Sequence, residues 1–362
     1  MAATGKRRGC LGCSFPILII VVVVFIAIVV MGFLAGPIGK ELVGEISWLK
    51  WMSVERPEPH LPAPVLFHVF GLPVTNTILA GWITVVFLVL VSWLITRRMK
   101  LVPGRLQAVF EAIVGWVFDF CRNTAGEVNG RRFFPVVCTI FLFVAFNAWL
   151  SLVPGYGSVE HVTHEPIPEN AQIKVYPAEG DKLEYKVVVI DDKEYMIVAV
   201  DGNEAMEIRH ELIRGANTDI NTPLAIALIS FVFVAYFGLK VLGFKWLGQY
   251  FNFGPLFRGV GRIFKGKFDF MGIFSGIIDA FVGGLELLSR FITVISFTFR
   301  LFGNMTAGEI LLLVTAYLIP WVLAVPFYGL ELLIGFIQGL IFAGLTLVFA
   351  SMAVTSHQEE AH

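Results

Sequence analysis

The sequence predicts an all-α polytopic membrane protein: about six transmembrane helices with the last two long and tilted, one amphipathic interfacial helix, and a small external insertion of β character. Three observations carry that prediction. Hydrophobic residues make up 57% of the 362 and charged residues only 15%, with a mean hydropathy of +0.78, whereas soluble domains run near 25% charged. The apolar residues gather into stretches long enough to cross about 30 Å of hydrocarbon, which takes about 20 helical residues each. The loops between them differ in charge from one to the next.

The first stretch, 15–36, follows Lys6, Arg7 and Arg8. A signal peptide also starts that way, but this apolar core exceeds the usual length of about 7–15 residues. It reads as a membrane anchor, with cleavage near Gly32–Ala35 as the alternative. Cys10 and Cys13 precede the apolar segment and read as incidental thiols. With Cys121 and Cys138 they complete the cysteines, none of which lies in the insertion, so no disulfide framework is implied.

The remaining stretches are 77–96, 133–153, 222–242, 285–319 and 326–355. The last two run to about 30 residues, or about 45 Å of helix. They must tilt strongly or break, and Gly283-Gly284 is the natural break. In the last, Gly335, Gly339 and Ala343 form a small-residue stripe that suits close approach to a neighbouring helix.

Orientation follows from the basic residues of the short loops, which resist translocation. Arg97, Arg98, Lys100 and Arg105 follow the second span, and Lys245, Arg258, Arg262, Lys265 and Lys267 follow the fourth. Both loops are assigned to the cytoplasm. The 155–220 segment instead collects fourteen acidic residues, from Glu160 to Asp219, against six basic ones, and belongs outside. An even number of spans then puts both termini in the cytoplasm.

Two segments carry structure of their own. In 104–126, Leu106, Val109, Phe110, Ile113, Val114, Val117 and Phe120 recur at helical spacing beside Arg105, Gln107, Glu111 and Asp119, the pattern of an amphipathic helix at the interface. In the insertion, Lys186–Ile190 and Tyr195–Val200 are β-branched runs separated by Asp191-Asp192-Lys193-Glu194, the pattern of a β-hairpin. The insertion is either a cap on a channel mouth or partner site, or an elaboration dispensable for ion flow. The domain organisation is therefore 1–76 anchor and external segment, 77–154 spans with the interfacial helix, 155–220 acidic insertion, 221–357 translocating helices, and 358–362 cytoplasmic tail.

Soluble-enzyme signatures are absent: His210-Glu211 lacks the second His of a zinc helix, Gly259-Val-Gly261 lacks the third glycine of a dinucleotide loop, and Gly266-Lys267 continues with Phe268. No cofactor or metal is implied, and no chemistry is assigned to the chain itself. The informative residues lie in the last two spans. Arg300 sits inside an apolar stretch, where a cation costs roughly 2.5–3.5 kcal/mol on the gentler insertion scale. It reads either as a functional cation or as half of a structural ion pair. Asn304 and Glu309 follow on the same helix, and Glu331 and Gln338 on the next. So many polar groups in two adjacent spans suggest a path.

Helix geometry places them. Glu309 lies about 13 Å outward of Arg300, and Glu331 about 10 Å outward of Gln338 on the antiparallel helix. The two glutamates share one level, and Arg300 and Gln338 a deeper one. Arg300, Asn304 and Gly308 form one stripe, whereas Glu309 points roughly the opposite way at about 100° per residue.

The run Arg300-Leu-Phe-Gly-Asn-Met-Thr-Ala-Gly-Glu309 resembles the signature of subunit a of the F-type (rotary) ATP synthase, bacterial type. Leu333–Phe342 with Gln338 is similar to that family's last helix, and Phe67–Asn76 and Thr218–Pro223 resemble further segments of it. The family often has a proline six residues before the arginine, where this chain has Val294, and Glu331 stands where members carry various polar residues.

The resemblance implies an ion-translocating stator in the plasma (inner) membrane with two offset half-channels. Its implied partners are a rotor ring of c subunits, peripheral stalk b subunits and, indirectly, the catalytic head, with the lipid bilayer around it and no nucleic acid. Arg300 would attract the rotor carboxylate. Asn304, Glu309, Glu331 and Gln338, with Asp219 or Asn221 at the mouth, would line the outer path, and Ser296 and Thr298 would lie near the inner one. Two other classes compete. A secondary transporter would use Arg300 as substrate or counter-ion site, but the chain shows no inverted repeats. A lipid-modifying enzyme would need a catalytic His, Asp or Ser cluster at one interface, and none is present.

Overall fold

The computed structural model describes residues 15–44, 46–54, 63–97, 99–153, 155–156, 159–167, 172–176, 185–190, 193–200, 203–243, 246, 270–320 and 322–355. Lys6–Arg8, Cys10, Cys13, Arg98, the Asp191–Asp192 turn, Lys245, Arg258, Arg262, Lys265, Lys267 and the 358–362 tail lie outside these residues.

Helix α1 (Phe15–Ala35) is apolar all round and exposed along most of its length. A short α2 (Pro37–Val43) and a 3-10 turn (Ser47–Met52) follow it. Its contact with the rest of the chain is at its C-terminal end, where a Cβ on Gly32 or Gly36 would overlap the carbonyl oxygens of Pro320 and Leu318. Strands β1 (Val65–Val69) and β2 (Leu72–Thr75) form a hairpin. Its two turn residues, Phe70 and Gly71, have φ of 52° and 81°, the signs a type I′ turn requires. The hairpin delivers the chain to α3 (Asn76–Thr96), which Thr75 caps by accepting from the Ile78 N–H at 3.4 Å.

Helix α4 (Arg105–Ser151) contains the interfacial helix and the third span, joined at Gly126, whose φ of 78° reverses the chain. The first half folds back on the second. Phe118 meets Phe134 edge-on at 5.2 Å, and Trp116 packs against Phe141 and Phe336. Val117 and Cys121 are buried, with Ile113 and Phe120 packed against the same core, whereas Leu106 and Val109 of the same apolar set are exposed, so only the later part of the predicted apolar face docks on the bundle. Arg122 pairs with Glu127 across the reversal at 2.6 Å, and Arg131, one turn further along, pairs with the same carboxylate at 2.7 Å.

Between α4 and the next span lies a five-stranded antiparallel sheet in the order β3-β7-β6-β5-β4. The strands are Glu160–Pro166, Gln172–Tyr176, Tyr185–Ile190, Lys193–Val200 and Asn203–Glu211 for β3 to β7. The expected hairpin is β5–β6, in register Val187 with Met196. It is the centre of a larger sheet whose polar strands lack the hydrophobic alternation that would have announced them.

Helices α5 (Asn221–Leu242), α6 (Phe270–Leu318) and α7 (Ala324–Thr355) complete the chain. Among the described residues six helices are long and apolar enough to cross a membrane. Of the two alternatives for this stretch, tilt or a break at Gly283-Gly284, the break is not taken: α6 runs through the glycines as one 49-residue helix. In an apolar medium no water competes for the backbone groups, so two glycines need not interrupt the ladder. At about 1.5 Å per residue such a helix exceeds the hydrocarbon thickness and must tilt.

The second half of α4, with α5, α6 and α7, builds the main core, including Phe133, Val144, Leu301 and Leu347. The small-residue stripe of α7 faces α4 as expected: a Cβ on Gly335 would lie 2.7 Å from Ala148 Cβ, and one on Gly339 would lie 3.1 Å from the Phe141 carbonyl oxygen.

Candidate functional site

Asn304 and Gln338 meet at the boundary of α6 and α7, one helical turn along α6 from Arg300. Asn304 Nδ2 donates to Gln338 Oε1 at 3.0 Å. Gln338 is buried, and its Nε2 has no hydrogen-bond partner among the described residues. The Arg300 guanidinium lies 5.7 Å from the centre of the Phe297 ring and makes no ion pair or hydrogen bond among the described residues. The structural ion pair that the sequence left open is therefore not formed there.

On one side of Arg300, α6 exposes Leu285, Leu288, Phe291, Ile292, Ile295 and Phe299, continued by the small exposed residues Gly303 and Ala307. At about 100° per residue these form one stripe with Arg300 and Asn304 along its edge. The other side of α6, with Phe297, Leu301 and Met305, is buried in the bundle.

Glu309 and Glu331 lie away from that stripe and share one cavity. It has a volume of about 310 Å³ at the end of the bundle that carries the β-sheet, and Tyr156, Glu211, Arg214 and Tyr328 line it with them. The shared level expected from helix rise is thus reproduced. Glu331 is 6% exposed, and its carboxylate lies on the bare backbone of Gly308, where a Cβ would overlap it.

Arg214 is the residue that the sequence did not disclose. It is 7% exposed and grips Glu309 with a fork: Nε lies 3.0 and 3.1 Å from the two carboxylate oxygens and Nη2 lies 2.9 Å from Oε2. An arginine in a predominantly acidic segment, five residues before Asp219, was the available signal, and Arg209 nearby offers the same one. The C-terminal end of the insertion is therefore a wall of the cavity rather than a detachable part.

Asp219 and Asn221, expected at the mouth, do not line this cavity. The Asp219 carboxylate instead accepts from Thr77 Oγ1 at 3.3 Å and Asn221 Nδ2 at 2.9 Å, tying the start of α3 to the start of α5. Asn76 Nδ2 donates to the Glu211 carbonyl at 3.0 Å, and Asn147 Oδ1 accepts from the Ala216 N–H at 3.3 Å. These bonds fix the segment that carries Arg214 against α3 and α4. Of the residues expected near the inner path, Thr298 is buried and bonds its own helix at the Val294 carbonyl, and Ser296 is exposed.

Comparison with known proteins extends the resemblance beyond the ten-residue run. The family model described as ATP synthase A chain matches residues 78–351. An ATP synthase subunit a of Gloeobacter violaceus is 28% identical over 284 residues, covering 78% of this chain and 85% of that protein. One of Geotalea uraniireducens is 25% identical, covering 78% and 86%, and one of Aliarcobacter butzleri is 24% identical, covering 73% and 82%. The matched region runs from within α3 into α7 and includes Arg214, Arg300, Asn304, Glu309, Glu331 and Gln338. This multi-pass membrane chain belongs to the ATP synthase A chain family.

Proposed function

We propose that the chain is the ion-translocating stator of the ATP synthase membrane sector, giving ions two offset half-channels to the carboxylates of a rotor ring of c subunits. The observation that carries this reading is Arg300, a cation without a carboxylate partner among the described residues, on the edge of an exposed apolar helix face. A membrane-embedded arginine in that position is completed by a partner that brings an anion to it.

The exposed stripe of α6 is the surface along which the ring moves, and Gly303 and Ala307 leave room for it near Arg300. Guanidinium keeps its proton in a protein, so Arg300 organises the carboxylate electrostatically without relaying the ion. It also bars a continuous wet route between the half-channels. The cavity of Glu309 and Glu331 is the outer access path, and Asn304 with Gln338 lies between it and Arg300. Each charge moved carries about 2.3 kcal/mol per 100 mV, so several ions must cross for each ATP. The peripheral stalk b subunits and, through them, the catalytic head are the other partners, in a bacterial plasma membrane with both termini cytoplasmic.

The secondary-transporter alternative has no observation in its favour beyond Arg300 itself. The deciding experiment is purification of the chain from its own membranes. Recovery with an ATPase head and a small hairpin protein, and ATP-driven ion uptake on reconstitution, are expected. Recovery alone, with substrate uptake that needs no ATPase, would overturn the reading.

A further inference from the structure

We infer that Arg214 divides the work of the two cavity glutamates: its fork occupies Glu309, and Glu331 is the carboxylate that takes up and releases the transported proton. This rests on the ion-path reading above and assigns roles within it.

The two carboxylates share a cavity but not an environment. Both oxygens of Glu309 are engaged by the Arg214 guanidinium within 3.1 Å. Fork-to-carboxylate pairs are the strongest and most geometrically fixed of protein hydrogen bonds, so a proton arriving on Glu309 must first displace an N–H. Glu331 has no hydrogen bond or ion pair among the described residues. Its carboxylate rests against Gly308 and opens on the cavity.

The transfer is therefore written at Glu331. A hydronium in the cavity gives its proton to a Glu331 oxygen and leaves as water. The Glu331 acid then gives that proton to a water on the way to the ionised rotor carboxylate, which is the final acceptor, and returns to carboxylate.

Arg214 is held for its task from the sheet side. It stands three residues beyond β7, whose last carbonyl, that of Glu211, is bonded by Asn76. Gly215 packs against Ser151, which would lie 3.1 Å from an added Cβ. The inserted sheet is thus fastened to the one cation of the cavity lining.

The test uses the purified, reconstituted complex, with passive proton conduction of the membrane sector and ATP-driven acidification as readouts. The variants are E331Q, E331H, E309Q, E309H, R214Q and the double R214Q/E309Q. E331Q is expected to lose conduction about tenfold or more, while R214Q and E309Q each lower it less and the double is no worse than the weaker single, because the two residues act as one unit. E331H is expected to move the midpoint of the pH profile of conduction and E309H to leave it in place. The titratable groups facing Glu331 across the cavity are Tyr156, Glu211, Arg214, Glu309 and Tyr328, and their identities are unchanged in E331H. Wild-type conduction in E331Q, or a moved midpoint in E309H but not in E331H, would overturn the division of roles. Wild-type vesicles that neither pump nor conduct would instead refute the ion-path reading and the proposal with it.

Discussion

Asn304 and Gln338 join the two long helices of the bundle through one side-chain hydrogen bond of 3.0 Å, one helical turn beyond Arg300. The bond fixes how α6 sits against α7 at the level where the unpartnered arginine meets its surroundings. Gln338→Leu removes the acceptor of this part-buried bond, at a cost of about 0.5–1.5 kcal/mol because the exposed Asn304 is not left as a buried donor. ATP-driven pumping is expected to fall about tenfold with assembly intact, and Gln338→Glu, which keeps the acceptor, is expected to lose less. Equal pumping by Gln338→Leu and wild type would remove this pair from the path.

Gly308 supplies a second, purely steric test. An added Cβ would overlap the Glu331 carboxylate, so Gly308→Ala must push that group from its seat. Proton conduction is expected to drop about tenfold or more. Shortening the displaced side chain, in Gly308→Ala with Glu331→Asp, is expected to recover part of the loss. No recovery, with the complex assembled, would mean that the glycine is needed for something other than room for Glu331.

What the sequence disclosed, and what it did not, follows from the physics of each signal. Spans announce themselves because hydrocarbon demands about 20 apolar residues in a row, and the observed helices begin and end close to the expected bounds at Asn76, Asn221 and Leu242. Glu309 and Glu331 were brought to one level by helix rise alone, since both are on regular helices. Arg214 was missed because it sits on a connection whose path depends on a sheet, and no periodicity fixes where such a residue ends up. The position of Asp219 was illegible for a related reason: an acid near a helix start serves equally well as a lining group or as an acceptor for Thr77 and Asn221, and the packed structure shows it bonded to those two. For α6 the sequence left tilt and a break at Gly283-Gly284 both open, and only the packed helix, unbroken over 49 residues, separates them.

The sheet should be removable up to a definite point. Its ends are already joined, the Leu212 N–H donating to the Val159 carbonyl at 2.7 Å. Replacing 160–210 by a short Gly-Ser linker is expected to leave at least about half of the ion flux, since a loop of that kind closes at modest entropic cost. Extending the deletion through Arg214 is expected to stop pumping, because it takes away the wall that Glu211, Ile213 and Arg214 give the cavity of Glu331. The same segment should be cut by protease added from outside, and cutting only in inverted membranes would reverse the topology. Loss of flux in the shorter deletion, with normal assembly, would show that the sheet does more than hold Arg214.

The tightest prediction concerns Arg300. It stands at the edge of the exposed α6 face with an aromatic contact to Phe297 but no ion pair among the described residues, so replacing it strands no carboxylate partner seen in the chain. Arg300→Ala should therefore permit assembly, where a structural arginine would predict misfolding. Two separable losses are then expected. Coupled pumping should stop, because nothing pulls the rotor carboxylate into its ionised form at the changeover point. Passive flux should persist or rise, because the half-channels remain while the cation between them is gone. Arg300→Lys should also fail, since an ammonium is a compact, strongly hydrated charge without the planar fork and it gives up its proton when buried. Reconstituted Arg300→Ala complex, measured for ATP-driven pumping and for passive flux in the same vesicles, decides the matter. Pumping at the wild-type rate by a correctly assembled variant would sink the gate outright, and loss of both assembly and flux would return Arg300 to a structural role.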